Sequence, residues 1–138
     1  MILLDTNVIS EPMRVADGRV VGWIDAQRIE TLYLAAITVA ELRFGVAAVP
    51  AGKRREALHD HIEKRVLPLF AGRVLPFDLA ASQAYAELMA RARTNGLAIG
   101  VADGYIAAIA SVHALAVATR DTTPFEAAGL TVINPWVA

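Results

Sequence analysis

The chain contains no cysteine. Disulfides and thiolate metal sites are thereby excluded, and a reducing cytoplasm is the expected setting. Long apolar runs are also missing. The most apolar stretch, Tyr105 to Ala118, is interrupted by Ser111 and His113 and is too short to cross a bilayer. Nothing basic precedes Asp5, so the start does not read as a signal peptide. Aromatic residues make up 7% and charged residues 20%, against 56% hydrophobic residues, many of them alanine. That balance excludes disorder by composition and favours closely packed helices. A strong charge of either sign is lacking as well, since the formal net charge is −1. Most nucleic-acid binders carry a basic surface. The balance suits one only if clustered acids are neutralised by metal while the basic residues, all arginine except Lys53 and Lys64, meet phosphates. Solvated helix surface explains the same arginines equally well, so charge decides nothing by itself. What is present is 138 residues, enough for one domain over 1–138 with a real core.

Short apolar runs alternate with helical patterns along the chain. Strands are expected at Met1–Leu4, Leu32–Ile37, Val74–Phe77, Leu115–Thr119 and Leu130–Ile133. Asp5-Thr6-Asn7 breaks the first run and opens a short helix toward Pro12, and Asp17 reads as the N-cap of a helix containing Trp23 and Ile24. Further helices are expected from Thr38 to Val49, from Arg54 to Phe70, from Asp78 to Thr94, from Val101 to Ala114 and from Pro124 to Ala128. In the second of these, Leu58, Ile62, Val66 and Leu69 recur at helical spacing. Continuous apolar strands between helices are strands buried on both faces. The expected architecture is a three-layer α/β domain with a parallel sheet flanked by helices.

Sites in open parallel sheets lie along the carboxyl edge. Asp5 directly follows the first strand, Glu41 begins the helix after the second, and Asp121 follows the fourth. Asp103 begins the helix that leads back into the fourth strand, so it starts at the same edge. Each acid also has a structural explanation. Asp5 suits a turn or N-cap, Glu41 closes a capping box on Thr38, and Asp103 favours a helix dipole. Asp121 is spared that duty, because Thr123-Pro124-Phe125-Glu126 forms a complete capping box. The joint placement of all four is what these explanations leave over. Carboxylates clustered without cations repel one another, and an all-oxygen set favours Mg²⁺ or Mn²⁺ over zinc. His59 and His61 stand two apart on a helix and His113 lies near a helix end, so all three read as structural. Nucleophile motifs and glycine-rich phosphate loops are absent from the sequence.

In Ile2-Leu3-Leu4-Asp5-Thr6-Asn7, Thr38-Val39-Ala40-Glu41-Leu42-Arg43-Phe44-Gly45, Ala102-Asp103-Gly104-Tyr105-Ile106-Ala107-Ala108, Ala118-Thr119-Arg120-Asp121 and Asn134-Pro135-Trp136, the chain resembles the PIN domains over its full length. Within them it is similar to the VapC and FitB type of toxin. The resemblance implies five parallel strands, a ribonuclease acting on single-stranded or structured RNA, and Mg²⁺ or Mn²⁺ held by Asp5, Glu41, Asp103 and Asp121. It implies Thr6, Asn7 and Thr119 as supporting polar groups. The implied partners are a cognate antitoxin protein and a second copy of the chain in a homodimer. Some relatives carry Asn at the position of Asp121 and an acid three residues later, where this chain has Pro124, which leaves Asp121 as the fourth acid.

Other readings fit less well. A haloacid-dehalogenase phosphatase needs Asp or Thr where Asn7 stands and a lysine near the far acids. A receiver domain fails on the same lysine. The remaining alternatives are a housekeeping RNA-processing nuclease and a catalytically inactive interaction protein of the same fold.

Overall fold

The computed structural model describes residues 1–14 and 18–138, so the expected cap at Asp17 lies outside the described residues. Five strands form one sheet: β1 (Ile2–Leu4), β2 (Leu32–Ala35), β3 (Val74–Leu75), β4 (Ala116–Ala118) and β5 (Val132–Ile133). Their order is β3-β2-β1-β4-β5, and every neighbouring pair is parallel. Leu3 stands opposite both Tyr33 and Val117, which fixes the register at the centre.

Strand periodicity sends alternate side chains to opposite faces, and both faces are covered. Leu3, Ala35 and Val117 point into a core shared with α5 (Leu79–Thr94), α6 (Val101–Val112) and α7 (Thr123–Ala127). Leu4, Leu32, Leu34 and Ala118 point into a second core with α1 (Thr6–Arg14), α2 (Gly18–Ala26), α3 (Ala36–Ala47) and the segment around Ile62. Each fully buried leucine or isoleucine contributes about 1.5–3 kcal/mol. The three-layer expectation is therefore met. No helix among the described residues is long and apolar enough to cross a membrane.

The chain winds outward from β1 to β3, returns to the centre at β4 and winds outward again to β5. Right-handed crossovers then force the first helices onto one face and the later ones onto the other. Between β1 and β4 the winding reverses. At such a point the two following loops diverge and leave a crevice outside the carboxyl ends of the strands.

Three local expectations are corrected. The continuous helix from Arg54 to Phe70 is three pieces: α4 (Lys53–Asp60), a π-helical turn (His61–Val66) and a 3₁₀ turn (Leu67–Phe70). Pro68 cannot donate to the helical ladder and crowds the preceding turn, which breaks the helix. The apolar phase slips accordingly, burying Phe70 and exposing Leu69. The second strand ends at Ala35, so α3 starts two residues before Thr38 and Thr38 is buried inside it with no capping role. Helix α7 starts at Thr123 itself after Thr122, without a side-chain cap, so the expected box there does not form either. The cap at Asp78 does form, with Asp78 Oδ1 accepting from the Ala81 amide at 2.9 Å.

Candidate functional site

Asp5 is the first residue past β1, and its amide still donates to the Ala118 carbonyl at 2.9 Å. The carboxylate is therefore held in line with the sheet, next to the switch in winding. It is 6% exposed. Oδ1 accepts from the amide of the next residue, Thr6, at 2.8 Å. Oδ2 accepts from the Thr119 hydroxyl at 2.8 Å. Thr119, one residue past β4, in turn accepts from the Asp121 amide at 3.1 Å. Asn7 spans the two loops, reaching Thr119 Oγ1 through Nδ2 at 3.4 Å and accepting from the Arg120 amide at 3.2 Å.

Glu41 lies on α3, in its second turn rather than its first, with its carboxylate exposed. Thr6 Oγ1 donates to Glu41 Oε1 at 2.7 Å and ties it to the start of α1. Asp103 stands in the first turn of α6, half-buried, at the same edge. Gly104 beside it lets α6 lie close to α5. A Cβ there would fall 2.9 Å from a Tyr85 ring carbon and 3.0 Å from the Met89 sulfur.

The carboxylates feel one another. Burial pushes the Asp103 carboxyl up to about 6, and the charges of Asp5, Asp121 and Glu41 add to the effect. Burial also raises Asp5 against the lowering effect of its bonds to Thr119 and Thr6, with Glu41 and Asp121 again opposing ionisation. Among the described residues, no ion pair joins any of the four acids to a basic side chain. The same residues hold no three carboxylates drawn close enough around one point to grip a metal ion as they stand. The donor set nevertheless fits a hard divalent cation: all oxygen, partly desolvated and of one sign.

The structure thus gathers Asp5, Glu41, Asp103 and Asp121 at one edge and surrounds them with Thr6, Asn7 and Thr119. His59 and His61 lie on the exposed surface of α4 and the π-helical turn, and His113 caps α6. Two features at this edge escaped the sequence reading. One is Arg120, whose guanidinium carbon lies 4.7 Å from the centre of the Trp136 ring. The other is a cluster of Phe77, Tyr85 and Tyr105 beside α6, with Tyr85 and Tyr105 ring centres 5.0 Å apart. The terminal Trp136 was legible as a motif, but its stacking partner was not.

The chain belongs to the PIN-domain family, matching the PIN domain over residues 2–130. VapC ribonuclease Y4jK of Sinorhizobium fredii is 67% identical over 137 residues, covering 99% of this chain and 98% of that protein. Toxin FitB of Neisseria gonorrhoeae is 56% identical over 137 residues, covering 99% of each. The crystal structure of FitAcB from the same organism superposes with a TM-score of 0.97 at 55% identity over 100% of both chains.

Proposed function

We propose that this chain is a metal-dependent endoribonuclease that hydrolyses single-stranded RNA, and that it serves as the toxin of a type II toxin–antitoxin pair in the cytoplasm. The observation that carries the reading is the placement of four acids of one sign at the carboxyl edge of the sheet, with Asp5 bonded to Thr6 and Thr119, Glu41 to Thr6, Asp121 to Thr119, and Asp103 in the first turn of α6. The similarity to VapC ribonuclease and Toxin FitB over nearly the whole chain supports it.

Asp5, Glu41, Asp103 and Asp121 are the residues that would hold Mg²⁺ or Mn²⁺. Such an ion supplies an acidified water as nucleophile and offsets charge on the leaving oxygen. The protein's own part is positioning. The Thr6 amide and Thr119 hydroxyl occupy one lone pair on each Asp5 oxygen and fix the plane of that carboxylate. The Thr6 hydroxyl does the same for Glu41, and Asn7 ties the β1 and β4 loops together.

The inhibitory partner has a natural seat. A cleft of about 800 Å³ opens at Thr6 and Glu41 and continues between α1 and α3 along Met13, Ile37, Phe44 and Leu58. An extended antitoxin segment would bury its apolar side chains there and bring a basic side chain to the acids. Exposed Leu79, Leu97 and Val101 around α5 and α6 leave apolar surface for a homodimer as well. The solved relative FitAcB supports a partnered state.

Incubation of the purified chain with a single-stranded RNA oligonucleotide tests the reading. Cleavage should require Mg²⁺ or Mn²⁺, stop on chelation and disappear in Asp103→Asn. Expression should arrest growth, and co-expression of a small neighbouring antitoxin gene should relieve the arrest. Cleavage without growth arrest would favour a housekeeping nuclease, and no cleavage an inactive interaction protein.

A further inference from the structure

Arg120 lies between two residues of the acidic site, yet its charge is directed away from the acids. Its neighbour Thr119 bonds Asp5, and its other neighbour is Asp121. The residue is held at both ends by α1. Asn7 Oδ1 accepts from its amide at 3.2 Å, and one turn along the helix Glu11 Oε1 lies 3.5 Å from Nη1. The guanidinium also stacks on the indole of Trp136, 4.7 Å from the ring centre. Trp136 itself is 4% exposed and belongs to the same core cluster as Val8 and Ile9 of α1, so the guanidinium rests on a buried ring. The charges acting on Asp103 and Asp5 are carboxylates, and Arg120 is not among them.

A guanidinium held over an aromatic ring is attracted through the ring's face and still has N–H donors to offer a ligand. The Arg120 side chain is 55% exposed, so those groups reach solvent. We infer that Arg120 binds a phosphate of the RNA strand next to the one being cut, and so sets the register of the strand over the four acids. This rests on the nuclease reading above and adds a substrate-holding residue to it. Stacking and the Glu11 contact fix the guanidinium in advance, so little side-chain freedom is lost when phosphate arrives.

The bland account makes Arg120 a cover for the Trp136 ring. Arg120→Met separates the two, because a straight apolar stem still covers the indole while the charge is gone. Steady-state cleavage of a single-stranded oligonucleotide should show KM raised roughly tenfold, with kcat changed much less, in Arg120→Met. Arg120→Lys, a point charge without the planar fork, should fall between it and wild type. In a second arm, the same oligonucleotide is bound by Asp5→Asn protein with and without Arg120→Met, across a range of KCl concentrations. Losing one phosphate contact should reduce the slope of log affinity against log salt by about 0.7. A wild-type KM together with an unchanged salt slope in Arg120→Met would overturn the inference. A wild type that does not cleave, yet binds RNA with an Arg120-dependent slope, would overturn the nuclease reading and leave the phosphate contact standing.

Discussion

Thr119 donates its hydroxyl hydrogen to Asp5 Oδ2 at 2.8 Å across 114 positions of sequence, and both residues are buried. The bond joins the loops after β1 and β4 at the point where the winding of the sheet reverses. A buried carboxylate needs such a donor, because an unsatisfied charged acceptor keeps its full desolvation cost. Thr119→Val preserves shape but removes both the donor to Asp5 and the acceptor for the Asp121 amide. The variant should lose about 1–3 kcal/mol of stability, and Thr119→Ser should recover most of it. Thermal melts with and without Mn²⁺ check this. The gain on adding metal should also shrink in the valine variant, since Asp5 is less firmly oriented. A valine variant that melts like wild type would mean the bond is incidental.

Gly104 governs how closely α6 approaches α5. Its missing Cβ leaves room for a Tyr85 ring carbon, which would otherwise lie 2.9 Å away, and for the Met89 sulfur at 3.0 Å. Tyr85 is not loose, because it is braced edge-on by Phe77 and tilted against Tyr105. Gly104→Ala should therefore destabilise the protein by about 1–3 kcal/mol and displace the start of α6, where Asp103 is mounted. Reduced cleavage should accompany the lower melting temperature. Unchanged melting and cleavage would show that the aromatic cluster yields cheaply.

The sheet and the convergence of the acids were legible for a simple reason. Strands buried on both faces must be apolar throughout, as Ile2–Leu4 and Ala116–Ala118 are, and parallel strands end at one edge. Helix starts were less legible. The Thr38–Glu41 and Thr123–Glu126 spacings match capping boxes, yet the backbone turned helical at Ala36 and at Thr123, so neither hydroxyl stood at a cap. Local patterns of that kind recur by chance, and only the strand ends decide between them. The Arg120–Trp136 stack and the Gly104–Tyr85 approach were invisible because each depends on how distant elements cross.

The pH dependence of stability has a definite sign. Asp103 titrates at about 6 in the folded chain, above its ordinary 3.8, and Asp5 is shifted in the same direction. The folded state therefore takes up protons before the unfolded state does, and stability rises as pH falls from about 8 to about 5. Asp60 and Glu63 are held below their ordinary values by His59 and Arg43 respectively, so their contributions are lost only at lower pH. Chelator-treated protein should melt higher at about pH 5 than at about pH 8, and Asp103→Asn should narrow the gap. A higher melting temperature at the alkaline end, or an equal gap in the variant, would contradict the charge cluster.

Glu41→Gln separates a ligand from a buttress. Because α3 begins at Ala36, Glu41 has no capping duty, and its one described hydrogen bond is accepted from the Thr6 hydroxyl at 2.7 Å. A glutamine carbonyl can accept the same bond, so the link between α1 and α3 survives. The substitution also removes one of the charges that oppose ionisation of Asp5 and Asp103. Melting should stay within about 0.5 kcal/mol of wild type or rise slightly in the absence of metal. Cleavage of single-stranded RNA should nevertheless fall by at least about 100-fold, with the metal-induced rise in melting temperature reduced in parallel. Both quantities are read on the same preparation, so a misfolded variant cannot pass for an inactive one. An active Glu41→Gln protein with a full response to Mn²⁺ would confine Glu41 to holding Thr6 and leave Asp5, Asp103 and Asp121 as the whole of the acidic site.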